Sequence, residues 1–254
     1  MIHPTAIIDP AAQLADNVSV GPYTIIGPNV VVGPGCEIGP HVVLKGPTLM
    51  GARNRIFQFA SVGEACQDKK YRGEPTELHI GDDNVIRESV TLQRGTVQDQ
   101  GITRLGSRGL FMAYSHVAHD CVIGDDVILA NATQLAGHVR VGDKAILGGG
   151  TLVHQFCRIG TQAMTGAGTV LFKDIPAYVL AQGNPAKPHA MNFEGLRRQH
   201  YSADSLRALK RAYRVVYRSG KTLVEALEEL SYETDPCVKI FVDSLQQASR
   251  GIIR

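Results

Sequence analysis

Histidines gather in one stretch of this sequence, at spacings that could support acid–base chemistry. Four of the nine histidines lie between residues 116 and 154: His116, His119, His138 and His154. Imidazole changes charge near neutral pH. A positioned histidine can therefore take the proton of a hydroxyl group, which is a poor nucleophile at neutral pH, as that hydroxyl attacks. Histidines also bind zinc, and in turns they often hydrogen-bond to backbone carbonyls or water. Residue type alone leaves these three roles open.

A repeat of six residues determines how these histidines are positioned. Every sixth residue is apolar over 8–62, 80–92 and 105–171, with Thr165 as the one polar exception, and glycine often follows the apolar residue. A period of six fits neither the 3.6-residue helix nor simple strand alternation. It predicts short strands joined by tight turns, with three hexads in each triangular coil and parallel β hydrogen bonds between coils.

This architecture brings residues of neighbouring coils into register. Three hexads place His119 below Gly137, Gly137 below Gln155, and Asp120 below His138. These residues form one patch, in which His119 is the candidate general base. The backbone N–H of Gly137 could stabilise an oxyanion that develops beside it.

Composition excludes several classes of protein. Apolar residues make up 44%, charged residues 20%, and the net charge is +2, which is ordinary for a soluble domain and too small to indicate nucleic-acid or membrane binding. No apolar run reaches the roughly 18 residues of a transmembrane segment, and no signal-peptide pattern begins the chain. We therefore expect a cytoplasmic protein. The five scattered cysteines form no C-x-x-C pair, which indicates free thiols rather than a disulfide framework or zinc clip.

Two polar segments interrupt the repeat, over 63–79 and 93–104. Long excursions from a regular scaffold often carry function.

After residue 171 the hexads fade into a proline-containing linker. Helix signals follow: a cap at Ser202 for a helix over 203–219, a capping box at Thr222 and Glu225, and the pair Asp235–Pro236 before a third helix ending near Gly251. The sequence thus predicts a β-helix domain over 1–185 and a helical domain over 190–254.

Distinctive local strings run nearly end to end along the chain: FQFASVGE at 57–64, QDKKYRGEPT at 67–76, IRESVT at 86–91, SHVAHDC at 115–121, LAGHV at 135–139, VHQFC at 153–157, QGNPA at 182–186, NFEGLRR at 192–198 and RGIIR at 250–254. In this order they resemble the UDP-N-acetylglucosamine O-acyltransferases, the LpxA family of hexapeptide-repeat acyltransferases. The resemblance implies an all-β left-handed parallel β-helix followed by a small α-helical C-terminal domain, assembled as a homotrimer.

The same resemblance implies an activity. The family transfers a (R)-3-hydroxyacyl group from acyl carrier protein to the 3-hydroxyl of UDP-N-acetylglucosamine, the first step of lipid A synthesis. The acyl donor is the carrier thioester, and neither a further cofactor nor a metal is expected. Partners are therefore the carrier protein, the nucleotide sugar and further copies of the chain.

The resemblance also assigns roles to individual residues. His119 is the general base, Asp120 its orienting carboxylate and Gly137 the oxyanion donor. Because adjacent residues on a strand point to opposite faces, Asp120 needs a turn to reach His119. The residues implied in substrate binding are Asp68, Lys70, His116, His138, His154, Gln155, Asn192, Glu194 and Arg198. Ala167 matches the position that limits acyl-chain length.

Two positions depart from the family pattern, and three alternatives remain. Gln93 stands where a histidine is common, and Gln199 where a second arginine often follows Arg198.

One alternative is a sibling solenoid N-acyltransferase that acts on a UDP-amino sugar. The others are a non-enzymatic binding solenoid and a zinc-dependent hydratase with histidine ligands.

Overall fold

Short parallel strands form a three-sided prism in the computed structural model, which describes residues 1–254. Successive strands enter successive sheets, so each strand pairs in parallel with the strand one coil further on. The chain winds as a left-handed parallel β-helix. The six-residue repeat predicted the coil, and the family resemblance predicted its handedness.

Each sheet collects every third strand. The first sheet contains β1 (Ile7–Ile8), β4 (Ile25–Ile26), β7 (Val43–Leu44), β10 (Ser61–Glu64), β13 (Thr91–Gln93), β16 (His116–Val117), β19 (Gln134–Leu135), β22 (Leu152–Val153) and β25 (Val170–Leu171). The second contains β2 (Gln13–Leu14), β5 (Val30–Val32), β8 (Thr48–Met50), β11 (Glu77–Ile80), β14 (Ile102–Leu105), β17 (Val122–Ile123), β20 (Arg140–Val141) and β23 (Arg158–Ile159). The third contains β3 (Ser19–Val20), β6 (Glu37–Ile38), β9 (Arg55–Ile56), β12 (Val85–Ile86), β15 (Leu110–Phe111), β18 (Ile128–Leu129), β21 (Ile146–Leu147), β24 (Met164–Thr165), β26 (Val179–Gln182) and β27 (Lys187–Met191).

The apolar residues of the repeat fill the inside of the prism. Leu44, Ile86 and Leu135 are fully buried, as are most of their equivalents in other coils. The polar exception, Thr165, is buried too, and its hydroxyl accepts from the N–H of Gly148 at 2.9 Å and bonds to the Thr151 hydroxyl at 2.8 Å. A threonine is accommodated there because its polar atom is paired.

Buried asparagines stabilise the corner between the second and third sheets. The Asn54 amide nitrogen donates to the carbonyls of Gly51 at 3.0 Å and Gly81 at 2.8 Å. Its oxygen accepts from the N–H of Asn84 at 3.0 Å, and Asn84 repeats the pattern one coil further on, accepting from the Gly109 N–H at 2.8 Å. Both asparagines are fully buried, so the ladder satisfies turn groups that no strand can reach.

Both interruptions of the repeat leave the corner between the first and second sheets. The first insertion is 65–76, between β10 and β11, and the second is 94–101, between β13 and β14. They are shorter than the sequence suggested because their ends continue the flanking strands. Arg94 joins them: it donates to the carbonyls of Gly46 and Gly63, both at 2.7 Å, and to the Tyr71 hydroxyl at 3.2 Å.

The β structure continues beyond residue 185, since β27 returns antiparallel to β26. The helices are α1 (Phe193–Arg198), α2 (Ala203–Arg218), α3 (Leu223–Leu230) and α4 (Pro236–Gln246). Side chains of Ser202, Thr222 and Asp235 cap α2, α3 and α4 as predicted, with the capping box complete at Thr222. No helix is both long and apolar enough to cross a membrane.

Two details of this region differ from the sequence prediction. The expected end of α4 near Gly251 was wrong, because the Asp174 carboxylate accepts from the N–H groups of Ser249 at 2.9 Å and Arg250 at 3.2 Å. These bonds hold residues 249 and 250 against the β-helix, so that these residues do not continue α4. The six-residue α1 was not predicted, since it is too short to display periodicity.

We predict that Asn54→Ala destabilises the protein. The change leaves the Gly81 carbonyl and the Asn84 N–H without partners, whereas the Gly51 carbonyl still accepts from the Cys36 thiol at 3.1 Å. Each unsatisfied buried group costs about 1–3 kcal/mol. The free energy of unfolding, measured in urea, is expected to fall by about 3 kcal/mol. Asn17→Ala is the control: Asn17 is exposed, although it also accepts from an N–H of the next coil, at Gly35. Equal effects of the two changes would contradict the ladder's role.

Candidate active site

The histidine patch occupies the same corner as the two insertions. His119 and Asp120 form the turn between β16 and β17, directly after the coils from which the insertions leave. Asp120 has a φ of 59°, in the left-handed region that aspartate tolerates better than most residues. This turn lets two consecutive side chains approach each other, which supplies the bend that Asp120 needs.

His119 and Asp120 form a hydrogen-bonded dyad. Nδ1 of His119 lies 2.9 Å from Oδ2 of Asp120, and the His119 side chain is 14% exposed. Nε2 of His119 has no hydrogen-bond partner in the chain. A carboxylate on Nδ1 fixes the imidazole with its proton on that side and leaves Nε2 as a proton acceptor facing the cleft.

The second insertion holds the carboxylate in place. Thr96 donates its N–H to Oδ1 of Asp120 at 3.0 Å and its hydroxyl to Oδ2 at 2.6 Å, and the N–H of Asp120 donates to Thr103 Oγ1 at 2.8 Å. Burial opposes ionisation of Asp120, but the hydrogen bonds from His119 and Thr96 outweigh it and hold the pKa of the carboxyl below its usual value. Neither threonine could be identified from the sequence, because neither contact follows the repeat.

Gly137 lies directly over the His119 ring. A Cβ atom added to this glycine would lie 2.5 Å from Cε1 and 2.6 Å from Nε2 of His119. A side chain there would displace the imidazole. The Gly137 N–H donates no hydrogen bond within the chain, so a donor remains free beside the proton acceptor.

His138 completes the cluster. Its Nδ1 lies 3.1 Å from Oδ2 of Asp99 in the second insertion, and its Nε2 lies 3.9 Å from Oδ2 of Asp120. The ring stacks on Phe156 at 4.4 Å between centroids and meets the His119 ring edge-on at 5.0 Å. Asp99 and Phe156 are further residues that sequence reasoning missed.

The cluster could also hold a metal ion by geometry alone. Potential ligand atoms of His119, Asp120 and His138 all lie within 4.8 Å of one another. Such a set resembles a catalytic zinc site in composition. However, both oxygens of Asp120 already accept hydrogen bonds, and three bonds converge on them from His119 and Thr96. The expectation of a metal-free site stays a prediction.

A groove of about 440 Å³ extends from this corner across the outer face of the first sheet. His116 and His154 line one part of it, together with Leu152, Val170 and Phe172. Nδ1 of His116 lies 2.7 Å from the Thr91 hydroxyl, and burial lowers the pKa of His116. The neutral imidazole and the apolar residues suit an uncharged chain.

The remaining predicted residues near this corner are more exposed. Asp68 and Lys70 lie in the first insertion, where Asp68 Oδ1 accepts from the Lys70 N–H at 2.8 Å. Gln155 is exposed in the turn after β22. Gln93 is buried at the base of the second insertion, and its Oε1 has no hydrogen-bond partner.

Four predicted residues lie at other corners. Asn192 caps α1 and donates to the carbonyl of Gln162 at 3.0 Å, which places α1 at the corner between the second and third sheets. On α1, Arg198 Nε lies 3.2 Å from Glu194 Oε1, and both side chains are exposed. Ala167 is exposed in the turn between β24 and β25, at the corner between the third and first sheets. Within one chain these residues are not brought together with His119.

Comparisons with known proteins agree with this architecture. A family model described as UDP N-acetylglucosamine O-acyltransferase, domain 2, matches residues 174–253, and a bacterial transferase hexapeptide model matches residues 11–46. Acyl-[acyl-carrier-protein]–UDP-N-acetylglucosamine O-acyltransferases of Stutzerimonas stutzeri and Thiobacillus denitrificans are 57% and 56% identical, over 100% of this chain and 99% of theirs.

Solved structures are also similar over the full length of the chain. LpxA of Acinetobacter baumannii is 49% identical with a TM-score of 0.98, and UDP-N-acetylglucosamine O-acyltransferase of Moraxella catarrhalis is 50% identical with a TM-score of 0.98. Each of the two alignments covers 100% of this chain and 99% of the chain in the solved structure. Identity at this level over the full length shows common descent and not only a shared repeat. The chain belongs to the UDP-N-acetylglucosamine O-acyltransferase family.

Proposed function

We propose that this protein transfers a (R)-3-hydroxyacyl group from acyl carrier protein to the 3-hydroxyl of UDP-N-acetylglucosamine, the first step of lipid A synthesis. The observation that carries the proposal is the His119–Asp120 dyad with its free Nε2 beside the free Gly137 N–H. The names and full-length identity of the relatives support the choice of substrates. The dyad supports the mechanism.

In this mechanism the sugar hydroxyl attacks the thioester carbonyl while His119 Nε2 takes its proton. The resulting imidazolium is stabilised by the Asp120 carboxylate, whose lowered pKa keeps it ionised. The Gly137 N–H donates to the oxyanion of the tetrahedral intermediate. The intermediate then collapses, the carbon–sulfur bond breaks, and the thiolate leaves with the proton that His119 returns.

No metal or further cofactor takes part in this scheme. The dyad supplies the base, the glycine N–H stabilises the oxyanion, and the thioester supplies an activated acyl group. A cytoplasmic location is part of the proposal, because five free cysteines fit a reducing compartment.

A homotrimer is also part of the proposal, because the predicted site residues lie at three different corners. The outward residues of the first and third sheets are often apolar: Ile25, Val43, Leu152 and Val170 on the first, and Leu110, Ile128, Ile146 and Met164 on the third. The outward residues of the second sheet include Arg104, Arg140 and Arg158. The first and third sheets are therefore the faces suited to contact other subunits.

Exposed aromatic rings mark the corner between these two faces. Tyr23, His41 and Phe59 stack at 5.2 and 5.5 Å between centroids, and Tyr23 and Phe59 are 60% and 61% exposed. With this corner at a three-fold axis, the first sheet of one subunit faces the third sheet of the next. The His119 corner then meets the neighbouring subunit's α1, which carries Asn192, Glu194 and Arg198. These polar side chains would contact the nucleotide, beside Asp68 and Lys70.

The acyl chain then has a defined route. The groove on the first sheet is lined by His116 and His154. In the proposed trimer it would carry the chain from the His119 corner towards the three-fold axis, at the corner where Ala167 lies. Alanine adds only one methyl group to this end of the groove. Because this small side chain blocks little of the groove, we propose a fairly long acyl chain of about twelve to fourteen carbons. Each CH₂ group that does not fit the groove changes the free energy of binding by about 0.8 kcal/mol.

The sibling N-acyltransferase would use the same dyad and differs only in its acceptor. UDP-N-acetylglucosamine has its nitrogen already acylated, so mass spectrometry of the product from this sugar and a mixed acyl-carrier-protein pool distinguishes the two enzymes. An ester product supports the O-acyltransferase. Conversion of an amino sugar alone contradicts it.

His119→Ala is expected to lower turnover by roughly 10²–10⁴-fold, the range for loss of a general base. The protein should remain folded, because His119 is in a turn and not among the inward apolar residues. Turnover is measured with saturating acyl carrier protein thioester. The matched control is His3→Ala, since His3 is exposed in the first coil and far from the dyad.

The same assay tests the metal-free mechanism. Turnover of the unmodified protein should be unchanged after chelation and dialysis. Near-normal turnover in a folded His119→Ala protein would remove His119 from the mechanism. Activity lost on chelation and restored by zinc would instead assign the cluster of His119, Asp120 and His138 to metal.

Phe59→Asp is expected to dissociate the trimer and lower turnover, because three carboxylates would meet at the axis and the cleft would lose its second wall. Phe59 is exposed and has a φ of 65°, which aspartate tolerates, so the subunit should fold. Sedimentation velocity measures the assembly. Tyr232→Asp, at a position 82% exposed between α3 and α4, is the control. A wild-type protein that sediments as an active monomer contradicts the proposal.

Ala167→Met is expected to shift the preferred acyl donor to about ten carbons, because the longer side chain fills the end of the groove; two misfitted methylenes correspond to about tenfold in selectivity. Competition between acyl carrier proteins of different chain length measures the shift. The KM for UDP-N-acetylglucosamine should not change. If the chain-length profile is that of the wild type, Ala167 does not limit the groove.

A further inference from the structure

A cationic cavity lies in the C-terminal region, where β27, the end of α2 and the last residue meet. Its volume is about 340 Å³, and its lining includes Lys187, Arg218, Lys221 and Arg254. No acidic side chain lines it, and none of its lining residues belongs to the histidine corner. A cavity of this size suits a small molecule, and its charge suits an anion.

These cations are only partly neutralised. Lys221 Nζ forms an ion pair with Glu229, which lies outside the lining, whereas Lys187 and Arg218 have no carboxylate partner. Arg254 donates through Nη2 to the carbonyls of Val216 at 3.0 Å and Lys221 at 3.3 Å. That contact fixes the Arg254 guanidinium at the cavity and leaves its other N–H groups free.

Two tyrosines in the same lining have buried hydroxyls without partners. Tyr213 is 8% exposed, and neither its hydroxyl nor that of Tyr217 has a hydrogen-bond partner. Burial raises the pKa of both phenols, and the nearby cations only partly oppose this, so both stay protonated and can donate. A buried hydroxyl without a partner costs free energy, so this pair points to a ligand that accepts hydrogen bonds.

The helix dipole explains only part of the cluster. Cations near the last turn of α2 interact favourably with its C-terminal carbonyls, which accounts for Arg218 and Arg254. It does not account for Lys187, which comes from β27, or for the two lining tyrosines whose hydroxyls have no hydrogen-bond partner.

We propose that this cavity binds the phosphate group of a small molecule. Guanidinium groups pair with phosphate in bidentate geometry, and Arg218 and Arg254 supply two of them. Lys187 and Lys221 add charge, and the hydroxyls of Tyr213 and Tyr217 donate to the remaining oxygens. The site is separate from the histidine corner and is not used in acyl transfer.

Titration calorimetry of the full chain with inorganic phosphate tests the proposal. The wild type is expected to bind one phosphate per chain, and saturating UDP-N-acetylglucosamine should not displace it. Arg218→Gln and Tyr213→Phe should each weaken binding about tenfold, as expected when one hydrogen bond to a charged group is lost. The matched control is Arg214→Gln, since Arg214 is exposed one turn earlier on α2 and outside the lining.

A second readout separates binding from a structural role. Without phosphate, Tyr213→Phe should melt at the same temperature as the wild type or higher, because it removes an unpaired buried hydroxyl. Phosphate should raise the melting temperature of the wild type and of Arg214→Gln more than that of Arg218→Gln. Acyl transfer should be unchanged in all three variants. Equal phosphate affinity of Arg214→Gln and Arg218→Gln, displacement by the nucleotide sugar, or no binding at millimolar phosphate would overturn the proposal.

Discussion

Parallel hydrogen bonding between successive coils is the constraint on which the rest of this structure depends. It fixes which residues share a column, and so it places Gly137 above His119 and Phe156 against His138. It also requires a tight turn at every corner, and one such turn gives Asp120 the left-handed conformation in which it reaches His119. The His119–Asp120 dyad is therefore a modified corner of a repetitive scaffold.

The insertions convert that corner into a site. A coil without insertions could not bring Thr96 or Asp99 to the histidines, because both lie outside the repeat. Arg94 ties the two insertions together through carbonyls of two coils and the Tyr71 hydroxyl. The charge of Asp120 is then maintained by donors from the second insertion, despite burial.

Periodicity and caps made much of the fold predictable. The repeat identified the inward residues, and Thr222 with Glu225 identified the start of α3. Stacking of coils was enough to group His119, Gly137 and His138 from the sequence alone. The contacts of Thr96, Thr103 and Asp99 could not be predicted, since they depend on how an irregular segment folds back. The end of α4 was missed for a similar reason: the Asp174 carboxylate that holds residues 249 and 250 is distant in sequence.

In the proposed mechanism, His119 Nε2 accepts the proton of the 3-hydroxyl of UDP-N-acetylglucosamine. A crystal structure of the protein with this nucleotide sugar tests it most directly. We expect the 3-hydroxyl oxygen to lie within about 3 Å of His119 Nε2, with Nδ1 still hydrogen-bonded to Asp120. A well-ordered sugar whose 3-hydroxyl lies beyond hydrogen-bond reach of His119, and instead next to another base, would contradict it.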